Sequence, residues 1–152
     1  MASSRILLCV SFYVLLALPC SSLSQVKVGG LCPGDIREKD ECLTVMQIAT
    51  EIINEEEYFR SSFQIELITA DTGDDDREAL KAACDLVSLN VIGLIGPAYS
   101  SEAAVVALEA SSLQLPVISY SATYPALQTY HYFSRVVSSD IRQSLVIVDL
   151  LA

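Results

Sequence analysis

The sequence is poor in basic residues and contains a single histidine. Lys and Arg number 9 against 19 Asp and Glu, which gives a formal net charge of −10. Because no basic patch is present, nucleic acid is not expected as a partner. His131 is the only histidine, and it does not accompany a cysteine at zinc-ligand spacing. We therefore predict neither a metal nor another cofactor.

Sequence motifs of catalysis are also missing. The chain has no G-x-S-x-G elbow, phosphate loop or G-x-G-x-x-G fingerprint. Asp71 and the run 74–76 form an acidic cluster, but it lacks the spacing and glycine turn of a calcium loop. A solvated helix start is the better interpretation. The protein is not expected to be an enzyme, and the absence of an Asn-x-Ser/Thr sequon argues against N-glycosylation.

The N-terminus has the pattern of a secretory signal peptide. Arg5 is its only charge, residues 6–18 form an apolar run of 13, and small residues follow at 22–24. Such a run is too short to span a bilayer comfortably. We predict a signal peptide over residues 1–24 and a mature domain over residues 25–152. The predicted location is the secretory pathway and the cell exterior.

The mature chain alternates between strand-like and helix-like segments. Short β-prone stretches occupy 25–28, 63–70, 91–95, 116–120 and 132–137, with Gly29 and Gly30 expected to end the first. Helical periodicity occupies 40–59, 74–88, 100–112 and the segment after Ser139. This order predicts an α/β fold with a doubly wound parallel sheet.

Two loops of such a sheet should form the ligand crevice. Ligands bind outside the carboxyl ends of the strands, beside helix N-termini. The segment GPAYSS at 96–101 and the segment YSATYP at 120–125 both follow strands. Hydroxyls at a helix start suit an anion such as a carboxylate. The alternative is that Ser100 only caps its own helix and that Ser121 and Thr123 only close a turn.

Three sequence blocks resemble a known receptor family. They are IGPAYSS, PVISYSAT and YFSRVVSSDIRQ, within residues 91–152. This stretch resembles the first lobe of class C G-protein-coupled receptor ectodomains, of the metabotropic glutamate and GABA-B type. More loosely, it resembles bacterial amino-acid-binding proteins of the periplasmic-binding-protein type I, or Venus flytrap, fold. The chain ends near the first crossing to a second lobe, so the resemblance implies a truncated first lobe.

The resemblance also implies a set of ligand residues. Ser100 stands at the serine that binds the ligand α-carboxylate, and Ser121 and Thr123 stand at the residues that hold the α-carboxylate and α-ammonium. Ser101 completes the same block, and Tyr99 replaces a smaller residue, where it narrows the pocket or stacks on the ligand. The implied ligand is an amino acid or analogue, and the implied full-length protein is a dimeric membrane receptor.

One departure from the family bears on the ligand. Glutamate-selective relatives place an arginine near the start of the first helix, where this chain reads KDECLT at 39–44. Glutamate is therefore not implied as the ligand. The alternatives to a receptor are a secreted solute-binding protein of a transport system and a truncated fragment that does not bind ligand.

Three cysteines remain after the predicted signal peptide, and three pairings are possible. Cys42 and Cys84 belong to helices expected on opposite faces of the sheet, too far apart for a disulfide. Cys84 also falls on a predicted inward stripe with Leu80, Ala83 and Val87. We predict a Cys32–Cys42 disulfide and a buried free Cys84. Related receptors often tie this loop to a segment near the second helix, which favours the other pairing.

Overall fold

The computed structural model describes residues 24–151, which form one five-stranded sheet with helices on both faces. The strands are β1 (Ser24–Cys32), β2 (Phe63–Asp71), β3 (Leu94–Ile95), β4 (Val117–Ser119) and β5 (Phe133–Arg135). They are all parallel, in the order β2-β1-β3-β4-β5. The predicted α/β doubly wound sheet is confirmed. The signal peptide predicted for residues 1–24 lies, apart from Ser24, outside the described residues.

Five α-helices connect or follow the strands. They are α1 (Ile36–Glu55), α2 (Glu57–Arg60), α3 (Asp76–Ser88), α4 (Ser100–Ser112) and α5 (Asp140–Leu151), and a 3-10 turn covers Pro125–Thr129. Within residues 24–151, no helix has both the length and the hydropathy needed to cross a membrane.

The first strand passes through the two glycines that were expected to end it. Gly29 and Gly30 are buried and pair with β2 on one side and β3 on the other. A Cβ at Gly29 would lie 2.6 Å from Leu94 Cδ2, and one at Gly30 would lie 2.7 Å from Met46 Sδ. The glycines therefore let neighbouring side chains approach both faces of the strand, and the predicted break is wrong.

The first helix is displaced toward the N-terminus from its predicted span of 40–59. Asp35 caps it, because its Oδ1 accepts hydrogen bonds from the amides of Arg37 and Glu38 at 3.1 and 3.2 Å. The helix is interrupted at Glu56, which is extended, within three consecutive glutamates. Acidic side chains are unfavourable at the negative end of the helix dipole, which accounts for the early end.

The main core lies between the sheet and the helices α3 and α4. The two helices meet through small side chains, which allow a close approach of their backbones. The buried set on these helices is Ala79, Ala82, Ala83, Leu86, Ala103, Val106, Ala107 and Ala110. α1 packs on the opposite face, against β1 and β2.

The burial predicted for Cys84 is wrong, although the structure contains the predicted Cys32–Cys42 disulfide. Ala79 and Ala83 point inward as expected, but Ala82 and Leu86 complete the stripe. Ala83 can belong to either of two apolar stripes along the helix, one that includes Cys84 and one that includes Ala82. The stripe with Ala82, which is richer in alanine, is the one that faces α4. Cys84 is thereby turned to the exposed side, as a free thiol.

Candidate ligand site at the carboxyl edge of the sheet

The loop after β3 turns sharply at Gly96 before it enters α4. Gly96 has a φ of 99°, and a Cβ there would collide with the Leu31 carbonyl oxygen. The Gly96–Pro97 peptide is cis. A glycine is therefore required both for the left-handed backbone and for the close passage across β1. The turn brings residues 97–100 to the carboxyl edge of the sheet.

One serine at the end of β4 and one after it tie the loop that follows β4 to the loop after β3. The buried Ser119 hydroxyl donates a hydrogen bond to the Pro97 carbonyl oxygen at 2.7 Å and accepts one from the Ala122 amide at 3.0 Å. The Ser121 hydroxyl donates to the Ala98 carbonyl oxygen at 2.6 Å. The two predicted ligand loops therefore form one hydrogen-bonded unit.

Ser100 joins the same unit in a way that the sequence does not predict. Its Oγ accepts hydrogen bonds from the amides of Thr123 and Tyr124, both at 3.2 Å. The residue that caps α4 is Tyr99, and it makes no side-chain capping bond. Ser100 thus does not cap its own helix, and its side chain instead holds the loop after β4. Its hydroxyl proton is not used in either contact and is available to a ligand.

The other predicted residues surround Ser100. Thr123 is half-buried, and its carbonyl oxygen accepts from the Asp140 amide at 3.1 Å. Ser101 and Ser121 are exposed. The Tyr99 side chain, 41% exposed, crosses to α1 and donates to Glu38 Oε2 at 2.7 Å. The structure brings Ser100, Ser121 and Thr123 together, whereas Tyr99 extends away along the sheet edge.

The start of α4 gives this unit its electrostatic character. The first amides of a helix have no partners within the helix, and they carry partial positive charge that favours an anion.

Glu102 lies in the first turn of α4 but is buried, and neither of its carboxylate oxygens has a hydrogen-bond partner among residues 24–151. Burial raises the pKa of Glu102 to about 7, with Asp74, Asp76 and Asp71 acting in the same direction. The nearby Thr72 hydroxyl acts in the opposite direction and lowers the pKa of Glu102, although the two side chains do not meet hydrogen-bond geometry.

Three residues of the site are not predicted by the sequence pattern. Arg135 Nη1 donates to the carbonyl oxygens of Ala122 and Tyr124 at 3.4 and 2.9 Å, which fixes the second loop from β5. Tyr120 begins the loop 120–125, and its hydroxyl lies 3.5 Å from the Leu31 carbonyl oxygen, while Glu38 reaches the other loop from α1 through Tyr99. The only sequence signal for Arg135 is its place in the YFSRVV block, and nothing local marks Glu38 as a neighbour of Tyr99. No cluster of metal-ligating side chains is found in the described part of the chain.

Comparison with known proteins matches this chain to a receptor family. Residues 41–152 match the family described as "Receptor family ligand binding region". Glutamate receptor 3.7 of Arabidopsis thaliana is 25% identical over 142 residues, covering 91% of this chain and 15% of the relative. Glutamate receptor 3.4 of the same plant is 26% identical over 131 residues, covering 85% of this chain and 14% of the relative.

A third relative supports the resemblance to metabotropic receptors. Metabotropic glutamate receptor-like protein E of Dictyostelium discoideum is 39% identical over 70 residues, which are 44% of this chain and 9% of the relative. The chain thus spans less than a fifth of the length of these relatives, two of which are named as receptors and one as a receptor-like protein. The family match extends over most of the chain and agrees with the parallel sheet and the position of its loops. The chain belongs to the family of receptor ligand-binding regions.

Proposed function

We propose that this chain is the extracellular, amino-acid-binding region of a cell-surface receptor. The observation that carries the proposal is the position of Ser100. Its hydroxyl stands at the start of α4, held by two amides of the loop after β4. The hydroxyl proton of Ser100 and the amides at the start of α4 lie at the sheet edge where a parallel sheet places its ligand, and Thr123 contacts Ser100 there through its amide.

The chemistry of these groups suits the two charged ends of an α-amino acid. The Ser100 hydroxyl and the α4 amides are donors and would bind the α-carboxylate. The Ser121 hydroxyl already donates to Ala98, so its oxygen is left to accept from an α-ammonium. The Thr123 hydroxyl can donate or accept. Ser101, in the first turn of α4, is the next donor available to the carboxylate.

Binding would act on signalling through a change of shape. A ligand shifts a conformational equilibrium only by its difference in affinity between the two states. In this proposal the ligand favours closure of a second lobe over the described edge, and closure favours one arrangement of a receptor dimer. The metabotropic-type relative supports coupling to a G protein at the plasma membrane, and no enzymatic step is part of the proposal.

Alanine substitution of Ser100 or Thr123 tests the proposed site. The chain, expressed in full, would be titrated with a panel of free amino acids and followed by NMR chemical-shift changes, which detect weak binding. Each variant loses one hydrogen bond to a charged group, so we expect roughly tenfold weaker binding or more. The described residues provide one side of a crevice, so the starting affinity should be low.

Ser112→Ala is the matched control, since Ser112 lies at the far end of α4 and bonds only to the Glu109 carbonyl within the helix. Its affinity should equal that of the unmodified chain. If Ser100→Ala and Thr123→Ala both bind as tightly as the control, the two residues have only a structural role and the proposed site is wrong.

The proposed extracellular location is tested by the N-terminus of the secreted protein. Expression of the full chain in a eukaryotic cell should release protein that begins at Gln25 into the medium. Retention inside the cell with Met1 still present would contradict the predicted signal peptide.

A further inference from the structure

A cavity of about 610 Å³ opens beside the proposed ligand site. It lies between α1 and the sheet, and its floor is made of apolar side chains from α1, β1, β2 and β3. Its rim at the carboxyl edge is polar and consists of Glu38, Glu41, Tyr99, Tyr120 and Ser121. Two of these, Tyr99 and Ser121, belong to the predicted ligand residues. Ser100 and Thr123 do not line the cavity, so the cavity adjoins the site proposed for the amino-acid backbone and shares Tyr99 and Ser121 with it.

The charges on this rim have one sign. Glu38 and Glu41 are the carboxylates that line the cavity, and no Lys, Arg or His lines it. Neither carboxylate takes part in a salt bridge within residues 24–151. Lys39 Nζ pairs with Asp71 at 2.6 Å, and Arg135 bonds to two carbonyl oxygens. Arg37, the neighbour of Glu38 in sequence, forms no salt bridge with either carboxylate within residues 24–151. The rim thus holds negative charge that the described protein does not neutralise.

Two tyrosine hydroxyls experience this negative charge. The hydrogen bond to Glu38 raises the pKa of Tyr99 to about 12, together with desolvation and the charges of Glu38, Asp74 and Glu102. Desolvation raises the pKa of Tyr120 to about 12, and Glu102 and Glu38 add to it. Desolvation disfavours a charge of either sign, but the carboxylates that contribute to both shifts disfavour an added anion and favour a cation.

We infer that the ligand of this site carries a positive charge at the end of its side chain, as lysine and arginine do, and that Glu38 selects it. This inference rests on the proposed function and specifies its ligand class. Glu38 is favoured over Glu41 because its carboxylate is bound to Tyr99, the residue next to Ser100. A ligand whose α-carboxylate meets Ser100 can lay its methylene chain along the tyrosine and bring its cationic end to Glu38.

Binding of L-arginine, L-lysine, L-glutamine and L-glutamate to the full chain by NMR titration tests the inference. We expect the two basic amino acids to bind at least about tenfold more tightly than glutamate, because one charge-assisted hydrogen bond is gained and one repulsion avoided. Glu38→Gln retains an acceptor for Tyr99 but removes the charge. It should reduce the affinity for arginine and lysine about tenfold and leave the affinity for glutamine unchanged.

Glu51→Gln is the matched control, since Glu51 is an exposed acid on the same helix that does not line the cavity. It should leave all four affinities unchanged. If glutamine or glutamate binds as tightly as arginine, and Ser100→Ala still weakens it, the inference is wrong while the proposed function stands. If Glu38→Gln and Glu51→Gln reduce arginine affinity equally, Glu38 is not the selecting residue. If none of the four binds while another amino acid of the panel does, the inference is wrong and the proposed function stands; if no amino acid of the panel binds, the proposed function itself is contradicted.

Discussion

At the scale of single residues, the most unusual group is the buried carboxylate of Glu102. It is 1% exposed and lies in the first turn of α4, with no hydrogen-bond partner among the described residues. A charged carboxylate in such a place is costly unless it is paired. Protonation removes this cost, which is the physical reason why burial raises the pKa of Glu102 to about 7. The stability of the fold should therefore depend on pH through this residue.

The sign of that dependence follows from the two pKa values. The carboxyl has a usual value of 4.5 and is raised to about 7 in the folded state, so the folded state holds the proton more tightly. The stabilising contribution of the proton is complete below about pH 4.5 and is lost as pH rises to about 7. Glu102→Gln should raise the melting temperature at pH 7.5 and change it little at pH 4.5.

Calorimetric or circular-dichroism melting of both proteins across this pH range measures the effect. The largest expected difference is about 3 kcal/mol, which corresponds to a pKa raised from 4.5 to about 7. Glu109→Gln, a half-buried residue later in α4, is the control and should leave the pH profile unchanged. A constant difference between Glu102→Gln and the unmodified protein at all pH values would show that folding does not raise the pKa of Glu102.

Residues of the site differ in how far the sequence reveals them. Ser100, Ser121 and Thr123 follow directly on predicted strands, so strand prediction alone places them at one sheet edge. Glu38 is 61 positions from its hydrogen-bond partner Tyr99. Such a contact depends on the register of α1 against the sheet, which sequence periodicity does not determine.

At the scale of elements, periodicity predicts the order of strands and helices but not their ends. The segments 63–70 and 100–112 are predicted within one residue of β2 and α4. The first helix is misplaced by four residues, because the capping power of Asp35 is stronger than the apolar pattern that suggested a later start. β3 is shorter than predicted, since only Leu94 and Ile95 reach partners on both sides.

The disulfide between β1 and α1 is an element-scale constraint. Cys32 ends β1 and Cys42 lies in the second turn of α1, with a Cα separation of 5.9 Å. The bond closes a loop with a sequence separation of 10, and it fixes the start of α1, which carries Glu38. Loss of this loop closure should cost about 2–3 kcal/mol of unfolding free energy.

The double variant Cys32→Ser with Cys42→Ser tests this cost without leaving an unpaired partner for Cys84. Denaturant unfolding in the absence of reductant should show a lower midpoint than that of the unmodified chain. Cys84→Ser is the control, and because that residue is exposed, its effect should be below about 0.5 kcal/mol. Equal midpoints for the double variant and the control would contradict a stabilising disulfide.

At the scale of the whole molecule, the parallel sheet is the most predictable feature. The packing of helices and loops over its faces is the least predictable one. Segments that alternate between strand periodicity and helix periodicity are sufficient to predict a doubly wound sheet. They do not predict that α5 would have no buried residue, or that Ile118 on β4 would be 46% exposed. Burial depends on which elements meet, and an apolar stripe in a sequence specifies no partner. The alanine-rich contact of α3 with α4 escaped prediction for the same reason.

The charge of the whole molecule leads to the last prediction. The formal net charge is −10, and Lys39–Asp71 is the single salt bridge within residues 24–151. Both partners are more than one-third exposed, and such pairs contribute between 0 and about 1 kcal/mol. Repulsion among unpaired carboxylates should exceed this attraction, because compaction brings like charges together. Since salt screens both, sodium chloride should stabilise the protein, and the melting temperature should rise between 20 and 300 mM.

The double variant Glu55→Gln with Glu57→Gln removes two charges from the run of three glutamates at the end of α1. It should melt at a higher temperature at low salt, and its melting temperature should depend less on salt. A melting temperature that falls with salt would mean that attractive pairs, not repulsion, dominate the electrostatics of the folded chain.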